Sequence, residues 1–477
     1  MGFVLICFPF LMAALAFATP SELWRVRLLP FTGAVHLALT LVTLANPGLA
    51  TGYGWLQLDP AGRIVQLLVS LIFCACGFYT HGYLRYRADR PNRIFCICLL
   101  VLPGIMSLVA WSHHMGLMWI AVEATSLAGA PLIYFNRTPR SIEATWKYLL
   151  VGSVGIAMAL LGTFFLAYAT VHHGFAVSMQ FDDLLAASPN ASKPWLHAAF
   201  ILLLVGYGTK MGLAPMHTWK PDAYGEAPGV VGAMMAGGLT SCGFLAILRV
   251  FHLCNAAGEG LFMNRILIFM GLFSMAVAAV FIVGQRDFKR MLAYSSVEHM
   301  GILILGLGIG GNAIYGVLLH LVNNALTKGV MFLSAGNIHR SFNSKNTAEV
   351  TGALNRLPFS GTLFLCGFLA VTGSPPFGPF LSEFTILNAG FGSGRYLEAS
   401  LFLFFLLIVF IGMGSAVLTV VQGRPSAGTP DTPYRDSLRT CLPIAILMGL
   451  VLMLGLYIPS FLNNLLREGA SFLGARS

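Results

Sequence analysis

The feature that most constrains this chain is the recurrence of apolar segments about twenty residues long, separated by short polar breaks. A helix rises about 1.5 Å per residue, so such a segment matches the hydrocarbon thickness of a bilayer. These segments cover 2–19, 28–45, 62–84, 93–111, 114–135, 144–169, 195–224, 228–252, 263–285, 291–309, 312–336, 358–391, 399–421 and 438–461. The pattern predicts an all-α integral membrane protein of about fourteen transmembrane helices, the seventh and twelfth interrupted. Only 10% of the residues are charged, against about 25% in soluble domains, and no polar stretch is long enough for a separate soluble domain. "AFAT" near Thr19 resembles a signal-peptidase site. No basic residue precedes the apolar run, however, and Arg25 and Arg27 follow it, so it reads as a first membrane helix.

The net charge of +10 raises the question of acidic partners. When alternate loops are scored for Lys and Arg, about 19 fall on one side and about 6 on the other. This positive-inside bias places both termini away from the cytoplasm and explains the basic balance without nucleic acid. The nine cysteines lie mostly in apolar segments. In the pairs Cys74/Cys76 and Cys96/Cys98, side chains two residues apart on a helix point about 200° apart. No metal or disulfide framework is expected.

Removing the loops leaves Lys210, Lys328 and Arg249 in the spans, with Glu123, Glu298, Glu383, His299 and His320. A charge at the bilayer centre costs about 2.5–3.5 kcal/mol, and such residues usually mark ion paths. Arg249 is expected to snorkel from the outer end of its helix. His81, His113, His114, His172 and His173 are expected to be solvated near helix ends. Glu298 and His299, close to the basic loop Arg286–Arg290, read either as interfacial or as part of a path. His320, Asn324 and Lys328 are spaced by four and share one helix face.

Proline supplies the second signal. Pro215 has no N–H, so it frees the Met211 carbonyl close to Lys210. In "VTGSPPFGPFLSEF", Pro375, Pro376 and Pro379 do the same shortly before Glu383. Broken helices in corresponding positions of two halves are the pattern of an inverted-repeat transporter. The expected organisation is peripheral helices in 1–92, one five-helix repeat in 93–252, a second in 263–421, and a C-terminal loop and last helix in 422–477.

The segments "AVEATSL", "GTKMGLAPMHTWKPDAYGEAP", "QRDFKRMLAYSSVEHMG", "HLVNNALTKG" and "GSPPFGPFLSEF" occur in this order. Together they resemble the antiporter-like proton-translocating subunits of respiratory complex I, membrane-bound hydrogenases and multisubunit cation/proton antiporters. The nearest resemblance is to the hydrogenase-4 branch of this family, that of formate hydrogenlyase-type complexes. It implies two inverted five-helix repeats, each with a broken helix, and a hydrated axis of ionisable residues. By motif, Glu123 matches the fifth-helix carboxylate and Lys210 its lysine partner on the broken seventh helix. Lys328 matches the eleventh-helix lysine, and Glu383 the ionisable residue of the broken twelfth. His299 and His320 match polar positions on the same axis. Accessory relay positions are His217, Ser241, Glu298 and Asn324; Ser241 and Asn324 stand where relatives often carry titratable groups. Lys220, Asp222 and Glu226 are expected at the rim of a cytoplasmic access path.

No haem, flavin, iron–sulfur or nucleotide motif is present. The resemblance implies that Fe–S clusters, a NiFe centre or flavin belong to partner subunits. The implied partners are further antiporter-like and small membrane subunits and a soluble hydrogenase-like or quinone-reductase-like redox module, in a prokaryotic cytoplasmic membrane. The expected function is translocation of protons, or of Na⁺, through buried Glu, Lys and His, with no redox chemistry in this chain. A carboxylate about 7 Å from a lysine contributes roughly 2.4 kcal/mol at an effective dielectric of about 20. Moving one charge against 100 mV costs about 2.3 kcal/mol. A switch of the Glu123–Lys210 pair is therefore large enough to gate one proton. Alternatives are a subunit of a cation/proton antiporter or of an energy-coupled CO2 uptake complex, and a non-pumping scaffold for a hydrogenase.

Overall fold

A computed structural model describes residues 1–50, 54–87, 90–171, 178–425, 430 and 432–474. His172 and His173 fall outside the described residues. The helices that build the bundle are α1 (Gly2–Ala18), α2 (Glu22–Ala45), α3 (Pro60–Tyr83), α4 (Arg93–Trp111), α5 (Met115–Ile133) and α6 (Pro139–Val171). Then come α7 (Lys193–Met211), α8 (Trp219–Glu226), α9 (Gly229–Ala256), α10 (Gly260–Ile282), α11 (Phe288–Ile309) and α12 (Ala313–Phe342). The last are α13 (Pro358–Val371), α14 (Gly378–Gly392), α15 (Tyr396–Val421), α16 (Leu438–Leu456) and α17 (Ser460–Phe472). Among the described residues, 11 helices are long and apolar enough to cross a membrane. The shorter α1 and the two broken units α7–α8 and α13–α14 complete the series read from the sequence.

Each five-span set carries its break in the fourth member. Because five is odd, the second set starts from the opposite end of the bundle, which gives the inverted repeat. Arg140 in the first turn of α6, Glu226 at the end of α8 and Arg290 in the first turn of α11 line one cavity and so share one side, here termed the basic end. Burial follows position. Every residue in the most apolar stretch of α9 and of α12 is buried, whereas α15 keeps only about a quarter of its stretch inside. The central spans α9, α11 and α12 are therefore apolar all round and enclosed by protein, and the polar residues they carry face other helices.

One element lies beyond the fourteen spans. In α17, "SFLNNLLREGASF", apolar and polar residues separate onto two faces. Leu462, Leu465, Leu466 and Ala470 pack inward, and Arg63 pairs with Glu468 at 3.1 Å. The helix lies across the end opposite the basic one, against α3 and α12. It is too short and too charged to be recognised as a span.

Candidate functional site

The first break is built by a single glycine and two cations. Gly212 ends α7 in the left-handed region, with φ +80°, which favours glycine. The chain then turns through Ala214–Pro215 and resumes as α8. Lys220, expected at a rim, is fully buried and folds back over Gly212. Its Nζ donates to the Met211 carbonyl at 2.7 Å. The carbonyl freed by Pro215 is thus satisfied by a lysine from the second half of the same broken helix. At the other end of α8, buried Lys289 donates to the Gly225 and Ala227 carbonyls at 3.0 and 2.5 Å.

Lys210 is 2% exposed, in the last turn of α7. Its Nζ donates to the hydroxyl of Ser126, and Ser126 donates to Glu123 Oε2 at 3.0 Å. The second carboxylate oxygen accepts from Ser153 at 3.3 Å. The motifs imply a direct Glu123–Lys210 pair. Instead, Ser126, one helical turn from Glu123, stands between the charges. Tyr148 places its ring 5.3 Å from Lys210 Nζ. Glu123 itself is only half-buried, on a flank of α5 and α6 where Ile120, Leu127, Leu150 and Val154 are exposed.

The second break repeats the geometry with the charge reversed. Gly373, at φ +66°, ends α13, and Pro379 opens α14 at a position that lacks an intrahelical donor anyway. Glu383 reaches back from α14, and its carboxylate fills the space where a Cβ on Gly373 would stand. Lys220 and Glu383 are therefore positional counterparts. Beside Glu383, Ser382 Oγ lies 3.0 Å from His320 Nδ1, and His320 Nε2 lies 2.9 Å from His299 Nδ1. Asn323 donates to the same Ser382 at 3.3 Å. Two turns along α12 from His320, Lys328 donates to Ser295 at 2.7 Å. The helix that carries Lys220, α8, packs against α6 of the first half and α11 of the second, which puts Lys220 between the two halves.

Glu298 and His299 are 2% and 1% exposed, which removes the interfacial alternative. Glu298 has one carboxylate oxygen with no hydrogen-bond partner among the described residues, and both side-chain polar atoms of Asn324 are in the same position. Ser241 is also buried, but it donates to Gly237 in its own helix at 2.6 Å. It follows a π-helical turn at Met235–Leu239, a distortion often found at functional sites. His217 is buried, and its Nδ1 lies 3.2 Å from the Pro215 carbonyl.

Asp222 and Glu226 do stand at a mouth. A cavity of about 770 Å³ at the basic end is lined by both, with Lys147, Arg290, Lys345 and Asp287 among others. Asp222 pairs with Arg290 and, at 2.8 Å, with Lys147; Glu226 pairs with Lys345 at 2.6 Å.

Two other expectations are corrected. Arg249 does not snorkel. It is 1% exposed, pairs with Asp59 at 2.7 Å, and donates to the Val109 and Ala110 carbonyls at 3.0 and 2.7 Å. It joins Asp59, the N-cap of α3, to the last turn of α4, where carbonyls lack partners. His113 is likewise buried, 3.0 Å from Asp182. Sequence reasoning also missed Ser126, Ser295, Ser382 and Asn323. The available signal was adjacency: each lies within three residues of an ionisable or polar residue already singled out.

Comparison with known proteins agrees with this architecture. The chain is 36% identical to a hydrogenase-4 component F homolog of Methylacidiphilum infernorum, over 91% of each chain. It is 29% identical to an NADH-quinone oxidoreductase subunit N of Desulforudis audaxviator, over 91% of this chain and 90% of that one. A chain in the structure of the membrane-bound sulfane sulfur reductase, an archaeal respiratory membrane complex, superposes with a TM-score of 0.88. That match covers 99% of this chain and 98% of that one at 19% identity, a likeness of fold. Residues 112–411 match the family described as NADH:quinone oxidoreductase/Mrp antiporter, TM. With its buried charges and two broken helices, the chain is a multi-pass, antiporter-like membrane subunit of the complex I, hydrogenase-4 and Mrp type, and it belongs to that family.

Proposed function

We propose that this subunit carries protons through the bundle along a relay of Glu123, Ser126, Lys210, Lys220, Lys328, His299, His320 and Glu383. The observation that carries the reading is the burial of Lys210, Lys220, Lys328, His299, His320 and Glu383 at or beside two helix breaks inside an apolar bundle. Charged side chains are costly there and otherwise rare. The contacts run as hydrogen-bonded pieces: Glu123–Ser126–Lys210, Lys328–Ser295 and His299–His320–Ser382. Between them lie buried polar atoms with no hydrogen-bond partner among the described residues, on Glu298, Asn323 and Asn324. Buried polar groups of this kind are normally held by water, so they mark where water would link the pieces. Water beside Asn324 would replace the titratable group that relatives often place there. The Ser241 hydroxyl is committed to its own helix, so the link between halves runs past Lys220 instead.

Protons would be taken up at the mouth beside Asp222 and Glu226. By the distribution of Lys and Arg this is the cytoplasmic side of a prokaryotic inner membrane, with both termini on the other side. Glu123 is a half-buried carboxylate on an apolar flank, which suits coverage by a neighbouring membrane subunit. The driving energy would come from a hydrogenase-like or quinone-reductase-like soluble module, which would also hold any Fe–S, NiFe or flavin group. The two repeats, 93–252 and 263–421, would each supply one half of the relay.

The test is Lys210→Ala in the complete complex reconstituted into vesicles. We expect proton pumping to fall at least about tenfold, the effect of about 1.4 kcal/mol, with the complex still assembled. Undiminished pumping would reject the relay. Transport of Na⁺ with opposite movement of protons, independent of redox turnover, would favour a cation/proton antiporter subunit.

A further inference from the structure

His299, His320 and Glu383 come from α11, α12 and α14 and meet at one point. Each offers one ligand atom, and these atoms lie within 4.8 Å of one another. The residues are 1%, 0% and 5% exposed. Glu383 Oε1 is buried without a hydrogen-bond partner among the described residues, so the cluster has unused ligand capacity. We propose that these three residues form a binding site for a divalent transition cation of the zinc class, and that an ion bound there blocks proton movement.

The chemistry selects the ion. Two imidazoles and a carboxylate are a ligand set that zinc accepts, with a fourth position left for water. Na⁺, Mg²⁺ and Ca²⁺ prefer oxygen cages. The nine cysteines take no part. Ser382 Oγ, 3.0 Å from His320 Nδ1, orients the far nitrogen of that ring, as second-sphere partners do. The ion would enter from the end opposite the basic one. A cavity of about 900 Å³ there is lined by Tyr315, Thr385, Asn388 and Arg467 among others. Thr385 is one helical turn from Ser382, so the cavity approaches the cluster along α14.

The blocking effect rests on the relay reading; the binding does not. Metal ligation needs the lone pairs of both imidazoles, and His299 Nδ1 and His320 Nε2 are the two atoms that face each other at 2.9 Å. An ion held there takes the place of the proton they share.

The experiment uses the intact complex, stripped with chelator and titrated with Zn²⁺. X-ray absorption at the zinc edge should show nitrogen and oxygen at about 2.0–2.1 Å and no sulfur at about 2.3 Å. His299→Gln and His320→Gln should each weaken zinc binding about tenfold or more, with assembly checked by the size of the complex. In the unaltered complex, zinc should stop pumping and chelator should restore it. Zinc affinity in both variants equal to that of the unaltered complex, or a sulfur shell, would overturn the site. Zinc bound as described without loss of pumping would overturn the blocking role alone. Normal pumping by Lys210→Ala would remove the relay and leave the metal measurement intact.

Discussion

Lys220 Nζ donates to the carbonyl of Met211 at 2.7 Å across the break between α7 and α8. The two residues belong to one interrupted helix, and the lysine restores the contact that Pro215 removes. Its counterpart in the second break is Glu383 over Gly373. Replacing Lys220 with Met keeps the volume and deletes the donor. An orphaned buried carbonyl costs about 1–3 kcal/mol, so we expect a lower melting temperature as well as slower pumping. Wild-type stability in Lys220→Met would show that the cap is dispensable.

Ser126 holds the charges of Glu123 and Lys210 in one chain of hydrogen bonds. Hydrogen bonds to charged groups are worth about 1.5–3 kcal/mol. Ser126→Ala should therefore slow pumping by about tenfold or more while the complex assembles normally, and Ser126→Thr should retain most of the rate. If alanine and threonine behave alike in vesicle pumping assays, the hydroxyl is not the bridge.

Arg249 and Asp59 form a buried ion pair. Removing one partner leaves the other charge without compensation, at a cost of about 3–5 kcal/mol. Arg249→Met should lower yield and melting temperature sharply. The double variant Arg249→Met/Asp59→Asn should be less destabilised than the sum of the single ones. Strict additivity in that cycle would contradict the pairing.

At the end opposite the basic one, Glu259 accepts from Lys193 at 2.8 Å and His197 at 2.7 Å. The hydrogen bond from Lys193, followed by that from His197, holds its carboxyl below the ordinary value of 4.5. A depressed pKa stabilises the folded state in full above the unfolded value and loses that contribution as pH falls through the folded one. Melting temperatures of wild type and Glu259→Gln should therefore differ at pH 7 and converge as pH drops below about 4. A difference that persists unchanged at low pH would exclude this linkage.

Much of the architecture was legible because hydrophobicity and proline act locally. The spans ended close to where the helices end, and the two breaks fell at Pro215 and at Pro375–Pro379. The amphipathic α17 escaped notice because a length criterion for crossing a bilayer does not detect a helix that lies across its end.

The sequence by itself determined that the chain is a bundle of membrane helices, which two are broken, and which ionisable residues have no loop to hold them. These follow from composition along short windows and from the missing N–H of proline. Only the tertiary structure decided who meets whom. Arg249 finds Asp59 across 190 positions of chain, Lys220 turns inward rather than to the rim, and His299 meets His320 from a different helix. The reason is geometric. A side chain's direction depends on the rotation of its helix about its own axis, and its partner depends on the register between helices. Both are set by packing summed over the whole bundle, and no local stretch contains them.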